Sequence, residues 1–157
     1  MNAEAAQSVK FKVDRDVLAD AVTWTTKSIP QRPAVPVLTG LLITANADGS
    51  VDLAVFDYEV SARARIAADV EVEGTILVSG RLLADIARAL PPQPVVFELD
   101  GTKVSVTCGS SRFALMTMPV EEYPALPEVP ETTGVISASD FQSAVGQVNI
   151  ATSKDET

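Results

Sequence analysis

VDRDVLADAV (residues 13–22) and VSGRLLADIA (residues 78–87) follow one pattern at two places in the chain. In each segment a valine-rich, strand-like stretch gives way to an arginine and then to apolar residues at helical spacing. Proline-rich stretches follow both segments, at residues 28–36 and 89–95, and proline cannot continue a helix past its first turn. The chain therefore contains an internal repeat in which each copy opens with a strand and a short helix.

A hairpin is predicted after each of these helices. LLITANADGSVDLAVF and VVFELDGTKVSV each hold an Asp-Gly pair at the turn, at residues 48–49 and 100–101. Asp-Gly between alternating apolar strands indicates a hairpin, because glycine adopts the positive φ that a tight turn requires. A third strand follows each hairpin, from Glu59 in the first copy and from Ser111 in the second. Two such units predict one α+β domain of antiparallel sheets with internal pseudo-twofold symmetry.

Both predicted helices are amphipathic, and we expect each to rest on a sheet through its apolar stripe. The stripe of the first helix comprises Val17, Leu18, Ala21, Val22, Thr25 and Ile29. The stripe of the second helix comprises Leu82, Leu83, Ile86 and Leu90. The opposite faces comprise Asp16, Ala19, Asp20, Thr23 and Lys27 in the first helix and Arg81, Ala84, Asp85 and Arg88 in the second. Asp14 is the expected N-cap of the first helix, and Trp24 is expected in the core or at a domain edge.

The pattern breaks at residues 118–131, which contain four prolines and four glutamates and predict an extended linker. Beyond it, GVISASDFQSAVGQVNIA repeats the opening strand and helix, with Ser137 and Asp140 spaced as a capping box. We therefore expect a disordered lead at residues 1–8, one domain at residues 9–130 and the truncated beginning of a second copy at residues 131–157.

The absence of histidine and the presence of one cysteine, Cys108, exclude several kinds of chemistry. Zinc sites built from Cys and His, Ser-His-Asp triads and Cys-His nucleophile pairs all require residues that the chain lacks. Asp57 and Glu59 lie two apart on a probable strand, but without a histidine or a metal cluster we interpret them as a turn or solvated pair. We expect no cofactor, no metal and no enzymatic activity, and a carboxylate-based hydrolase remains only a third hypothesis.

The net charge of -9 argues against nucleic acid binding unless the basic residues collect on one surface. Duplex binding draws its affinity from Lys and Arg side chains that meet phosphates. No stretch approaches the ~18 uninterrupted apolar residues of a membrane helix, and residues 1–8 do not form a secretory signal. We therefore expect a soluble, cytoplasmic protein.

Several segments, in order along the chain, resemble the bacterial DNA sliding clamp, the beta subunit of DNA polymerase III. They are FKVDRDVLADAV, RPAVPVLTGLLI, FDYEVSARA, VSGRLLADIARALP, SSRFALMTMPVEEYPALP and GVISASDFQSAVGQVNIA. The resemblance implies the DNA clamp fold, in which antiparallel sheets form the outside of a ring and helices line a central hole for duplex DNA. It implies a non-catalytic processivity factor of bacterial DNA replication, which is a head-to-tail homodimer at full length. It also implies that the polymerase and the clamp loader bind mostly outside this chain.

The resemblance further suggests residues that face DNA. Arg81 and Arg88 lie seven apart on one face of the second helix, and the alternative for that face is exposed charge paired with Asp85. Arg32 stands in a proline-stiffened loop at the position of a DNA-contacting arginine in the family. The full set of candidate DNA-binding residues is Arg32, Arg81, Arg88, Lys27 and Lys154.

The strand at residues 110–117 resembles the family's edge strand, which pairs with the other subunit of the ring. Phe113 and Leu115 alternate onto one face as a small apolar seam, and Lys103 and Arg112 could add ion pairs across the interface. The alternative is an internal strand with Phe113 and Leu115 in the core. A competing function for the whole chain is a stand-alone protein-interaction module that uses an exposed edge strand.

Overall fold

The structure is a computed structural model that describes residues 8–152. The chain divides into two compact units between Leu126 and Pro127. All the strand pairs among the described residues are antiparallel, and no helix connects two parallel strands. The α+β class with antiparallel sheets is therefore confirmed.

The first unit contains both copies of the repeat. The first copy consists of β1 (Lys10–Val13), α1 (Arg15–Thr26), β2 (Gly40–Ala45), β3 (Ser50–Phe56), β4 (Ser61–Ala67) and β5 (Asp69–Val72). The second copy consists of β6 (Gly74–Ser79), α2 (Gly80–Ala89), β7 (Val95–Asp100), β8 (Lys103–Cys108) and β9 (Ser111–Met116). The single strand predicted from Glu59 onward is thus two strands, β4 and β5, which begin only at Ser61.

The two copies exchange their first strands. One sheet has the order β5-β1-β7-β8-β9 and the other β4-β3-β2-β6, so β1 pairs with a strand of the second copy and β6 with a strand of the first. The segment that follows the last hairpin strand pairs with the same kind of neighbour in both copies. In the first copy β5 pairs with β1, and in the second copy Thr117 forms a bridge with Val78 in β6. This matching order is the pseudo-twofold symmetry that the repeat predicts.

The local signals in the sequence are confirmed at the turns and caps. Gly49 and Gly101 have φ angles of 80° and 60°, as the two Asp-Gly turns require. The Asp14 carboxylate accepts hydrogen bonds from the backbone N–H groups of Asp16 and Val17 at the start of α1. Between the sheets and the helices lies one apolar core, in which the Phe11 and Phe97 rings stack with centroids 4.7 Å apart.

The helices α1 and α2 lie against each other in opposite directions, and an arginine at the start of each reaches the end of the other. The Arg15 guanidinium donates to the carbonyl oxygens of Leu90 (3.1 Å) and Arg88 (2.9 Å) at the end of α2. The Arg81 guanidinium donates to the Pro30 carbonyl oxygen, at 3.0 Å, just beyond the end of α1. Carbonyls at a helix end have no partner within the helix, so these arginines stabilise both ends.

This helix pairing corrects the predicted stripes. Val17 and Leu82, predicted to be buried, are 43% and 49% exposed, whereas Ala19 and Ala84, predicted to face outward, are buried. The four residues form two equivalent pairs when Leu18-Ala19-Asp20 is aligned with Leu83-Ala84-Asp85. Each helix is covered by its neighbour as well as by a sheet, so the buried arc moves toward the small alanines. Periodicity along one helix does not reveal that second contact.

The first part of the predicted linker, residues 118–126, is not extended but packs against the first unit, while residues 127–131 form no helix or strand. Val120–Glu122 form a 3-10 turn, and the Tyr123 side chain is buried beside Leu77. The backbone N–H of Phe56 donates to the Tyr123 hydroxyl at 2.8 Å, and the hydroxyl in turn faces the Phe56 carbonyl oxygen at 3.5 Å. Apolar residues between the prolines therefore return this segment to the sheet that contains β3.

In the second unit the predicted helix is present as α3 (Ala138–Val148). The Ser137 hydroxyl accepts from the Asp140 backbone N–H at 3.1 Å, as the predicted capping box requires. The strand predicted before it is absent, since residues 127–137 form no strand in the described part of the chain. A strand needs a neighbour for its backbone hydrogen bonds, and β1 obtains one from the other copy of its repeat.

Candidate nucleic-acid interface

The charges of the chain are unevenly divided between the helices and the sheets. We call residues 14–32 and 79–90, which form α1, α2 and the ends that flank them, the helix layer. The helix layer contains five of the twelve Lys and Arg residues but four of the 21 Asp and Glu residues, which leaves seven cations and 17 anions elsewhere. The five cations are Arg15, Lys27, Arg32, Arg81 and Arg88. The acidic net charge therefore resides outside the helix layer. A polyanion would meet less repulsion at the helix layer than at the rest of the surface.

An open depression runs along α1 and brings two of the predicted DNA-binding residues together. It is lined by Arg15, Ala19, Asp20, Thr23, Trp24, Lys27 and Arg88. Arg88 is exposed and forms an ion pair with Asp85 at 3.3 Å. Exposed pairs of this kind contribute a few tenths of a kcal/mol, roughly, and so leave the guanidinium available to another anion.

The other predicted residues lie around the end of α1. Arg81 is exposed, with one nitrogen on the Pro30 carbonyl oxygen. Arg32 is exposed two residues further along the same loop, before the 3-10 turn Pro36–Thr39. This hydrogen bond from Arg81 thus stabilises the loop that contains Arg32. Lys154 lies outside the described residues. The DNA-binding roles of all five residues stay predictions.

Two residues of the helix layer, Arg15 and Trp24, were not predicted to lie at this surface. Arg15 connects the two helices and adds a fixed positive charge to the depression. Trp24 was expected in the core or at an edge but is 55% exposed in the depression. Its position carried a usable signal, because Trp24 follows Asp20 by four residues and precedes Lys27 by three, which places it on the polar face of α1.

The predicted interface strand, β9, is the last strand of its sheet. The backbone N–H of Thr117 donates to the Thr102 carbonyl oxygen at 3.0 Å, and the register from there along β8 and β9 has no irregularity. Antiparallel strands direct successive residues to opposite sides, so Arg112 and Ala114 direct their backbone groups away from β8, while beyond them the same edge meets β6 at the Val78–Thr117 bridge. These groups are placed to pair with another strand.

The side chains of β9 differ from the predicted seam. Leu115 is 1% exposed and belongs to the core, whereas Phe113, on the same face, is 37% exposed. Arg112 is exposed and its Nε donates to the Ser105 hydroxyl at 3.0 Å, while Lys103 is exposed at the start of β8. Leu115 can therefore position the strand but not contact a partner directly. The interface role of Lys103, Arg112, Phe113 and Leu115 stays a prediction.

Asp57 and Glu59 do not lie on a strand, so that placement was wrong. They belong to the turn between β3 and β4, where the Asp57 carboxylate accepts from the backbone N–H groups of Glu59 (3.0 Å) and Val60 (2.7 Å). Tyr58 between them has a positive φ of 75°. The Asp57 carboxylate thus stabilises a turn. Within residues 8–152 no three His, Cys, Asp or Glu side chains are grouped so that they could hold a metal ion.

The acidic side of the molecule is partly organised by ion pairs across strands. Arg65 in β4 holds the Asp52 carboxylate in β3 with two hydrogen bonds of 2.7 and 2.9 Å, and the Asn46 amide donates to it as well. The Arg65 guanidinium lowers the pKa of Asp52 below its usual range.

No helix in the described part of the chain is long and apolar enough to cross a membrane.

The chain was compared with known proteins. Residues 9–127 match the family described as DNA polymerase III beta subunit, N-terminal domain. Over 149 residues the chain is 58% identical to the beta sliding clamp of Streptomyces coelicolor, a match that covers 95% of this chain and 39% of that protein. It is 60% identical over 149 residues to the beta sliding clamp of Micrococcus luteus, covering 95% of this chain and 48% of that protein.

A solved structure agrees with these sequence matches. The crystal structure of the DNA polymerase sliding clamp from Bacillus subtilis superimposes with a TM-score of 0.86 at 27% sequence identity, over 95% of this chain and 42% of that one. The chain therefore spans less than half the length of these relatives.

Proposed function

The chain belongs to the family of the DNA polymerase III beta subunit, N-terminal domain, and from this premise we propose that it forms part of a sliding clamp. The complete clamp encircles duplex DNA without sequence specificity and tethers the replicative polymerase as a non-catalytic processivity factor. It acts in the bacterial cytoplasm as a head-to-tail homodimer. Identity near 60% to two beta sliding clamps supports this proposal.

The observation that carries the DNA-binding part of the proposal is the charge of the helix layer. Five of twelve cations and only four of 21 anions lie there, in a chain whose net charge is -9. Guanidinium and ammonium groups that contact only phosphates carry no sequence information. Such contacts are weak and independent of sequence, which suits a protein that slides.

The domain assignment and the partners belong to the same proposal. Residues 9–130 are the first clamp domain, and residues 131–157 begin the second. The edge of β9 pairs with the other subunit, with Phe113 and the exposed Lys103 and Arg112 at the contact. The polymerase and the clamp loader bind mainly through parts of the clamp that this chain does not contain.

A second candidate function is a protein-interaction module that never encircles DNA. The edge position of β9, with the backbone groups of Arg112 and Ala114 directed outward, favours it. The two functions differ in where a partner binds, because the module would use β9 and would not need the cations of the helix layer.

The test uses a chimera in which this chain replaces the matching N-terminal part of the Streptomyces coelicolor clamp. We expect the combined change Arg32→Ala, Arg81→Ala and Arg88→Ala to shorten retention on nicked circular DNA by about tenfold, because phosphate contacts are lost. Retention is measured by gel filtration of the loaded DNA against time.

The matched control removes three positive charges from the strands, by Lys10→Ala, Lys12→Ala and Arg65→Ala. This variant should retain DNA as the unchanged chimera does, since those residues lie outside the helix layer. Equal retention by both triple variants and the unchanged chimera would contradict the assigned DNA-facing surface.

A further inference from the structure

Trp24 is an exposed indole that the fold does not require. It is the only tryptophan of the chain, and 55% of its surface is exposed beside Lys27 and Arg88. The equivalent position in the second copy of the repeat is Ala89, on the same alignment that pairs Leu18 with Leu83. Since an alanine serves at that position in α2, packing alone does not account for an indole in α1.

The depression around Trp24 has positive charges that are only partly used. Lys27 is exposed and forms no ion pair within residues 8–152. Arg88 has only the exposed pair with Asp85, and Arg15 is held by Asp16 and by carbonyl oxygens of α2. Asp20 is the one acidic residue that lines the depression. The site therefore offers two exposed cations, one fixed cation and a flat apolar surface.

We propose that this depression is a contact site for the sugar-phosphate backbone of duplex DNA. Lys27 and Arg88 bind a phosphate, and the Trp24 indole packs against the neighbouring deoxyribose. This inference rests on the proposed function and adds a residue and a mode of contact to it. An occupant must be anionic and must also present an apolar surface within a few ångströms of the charge. The DNA backbone alternates these two features along each strand.

The indole contact suits movement along DNA. Every nucleotide has the same deoxyribose, so packing against the sugar adds affinity without any preference for sequence. Asp20 at the edge of the depression repels phosphate and limits the strength of the contact. The combination gives a contact that can form and break at each step along the backbone.

The test follows the single indole N–H signal of the ¹⁵N-labelled 157-residue chain by NMR during titration with a 12-base-pair duplex. We expect the indole signal to shift together with the α1 and α2 amides, with one common Kd. A single phosphate contact predicts that this affinity falls about three- to fourfold between 50 and 200 mM salt.

Variants test the role of the indole itself. Trp24→Ala should weaken duplex binding about fivefold, measured on the α1 amides, and Trp24→Phe should restore part of the loss because the flat apolar surface remains. Val17→Ala is the matched control, since Val17 is an exposed apolar residue of α1 that does not line the depression. This control should bind as the unchanged chain does.

The outcomes separate this inference from the proposed function. If the helix amides shift but the indole signal does not, the sugar contact is wrong and the DNA-facing helix layer stands. If no signal of the helix layer shifts with duplex, both proposals are wrong. If a poly-glutamate peptide or a single strand of the same length shifts the indole at lower concentration than duplex does, the site is not built for the duplex backbone.

Discussion

Tyr123 shows how one side chain can join a segment to the sheet that lies far from it in sequence. Its hydroxyl accepts the hydrogen bond of the Phe56 backbone N–H, and its ring lies in a small apolar cluster with Val37, Leu38 and Leu77. Burial raises the pKa of the Tyr123 hydroxyl, because the phenolate would lose its hydration there. The residue therefore stabilises the fold more in its neutral form than as a phenolate.

The first prediction is that Tyr123→Phe lowers the free energy of unfolding by about 1–2 kcal/mol, because the Phe56 N–H loses its partner. Urea denaturation followed by circular dichroism measures the change. Tyr58→Phe is the control, since the Tyr58 side chain is 67% exposed. An unchanged midpoint for Tyr123→Phe would show that the contact does not stabilise the fold.

The second prediction concerns alkaline pH. Because the pKa of Tyr123 is raised in the folded protein, its stabilising effect is complete below the unfolded tyrosine pKa of about 10 and is lost as the pH rises through the folded value. The stability difference between the unchanged chain and Tyr123→Phe should therefore be constant from pH 7 to 9 and shrink above that. Denaturation midpoints of both proteins across this range measure it. A difference that grows with pH would contradict the assignment.

At the scale of elements, the contact between α1 and α2 determines which residues of the helices are buried. Gly80 begins α2 where Ile29 and Thr26, at the end of α1, come closest to it. A methyl group on Gly80 would overlap the Ile29 side chain. The start of α2 thus favours a residue without a side chain, even though glycine is a poor helix former, because the buried Ile29 side chain would otherwise have to move.

The third prediction is that Gly80→Ala destabilises the first unit by about 1–3 kcal/mol, because overpacking outweighs the gain in helix propensity. Thermal or urea denaturation measures the loss. Gly146→Ala in α3 is the control, because no atom lies within 4 Å of the added methyl group. Stabilisation by Gly80→Ala would mean that the two helices are not packed as described.

The fourth prediction concerns the cross-strand pair of β3 and β4. Asp52→Asn should lower stability at pH 7 by about 0.5 kcal/mol, a small value because 63% of the Arg65 side chain is exposed. The pKa of Asp52 is lowered in the folded protein, so this contribution is present above the unfolded pKa and is lost as the pH falls through the folded value. Unfolding midpoints from pH 7 to 2 should converge for the two proteins, and a constant gap would contradict the ion pair as its cause.

At the scale of the whole molecule, the proposed contact with DNA depends on the division of charge. The helix layer has nearly balanced charges, while the remainder of the chain has ten more anions than cations, from 17 and seven. A single unit of this kind presents few phosphate contacts and cannot enclose a duplex. In the proposed clamp, retention on DNA then depends on closure of the ring in addition to these contacts.

The fifth prediction is that the 157-residue chain alone binds duplex DNA with a Kd on the order of 10⁻⁴ M or weaker at 150 mM salt. It should dissociate from circular and linear DNA equally fast, which gel filtration and NMR titration can measure. Tight binding that resists 0.5 M salt would contradict the proposal that the surface contacts of one unit, without enclosure, are too weak to retain DNA.

The repeat, the hairpin turns, the helix caps and the α+β class follow from the sequence, because each depends on residues close together in the chain. Asp14, Gly49, Gly101 and Ser137 act on their own backbone or on residues within a few positions of it. The family resemblance also lies in these contiguous segments.

The tertiary structure alone decided the exchange of β1 and β6, the burial of Ala84 and Leu115, the exposure of Val17 and Leu82, and the return of Tyr123 to Phe56. Each depends on which distant part of the chain covers the residue. Because hydrophobic burial is non-directional, a local sequence pattern does not specify that partner. The periodicity of a helix says which residues share a face. Only the packing of its neighbours says how much of that face is covered.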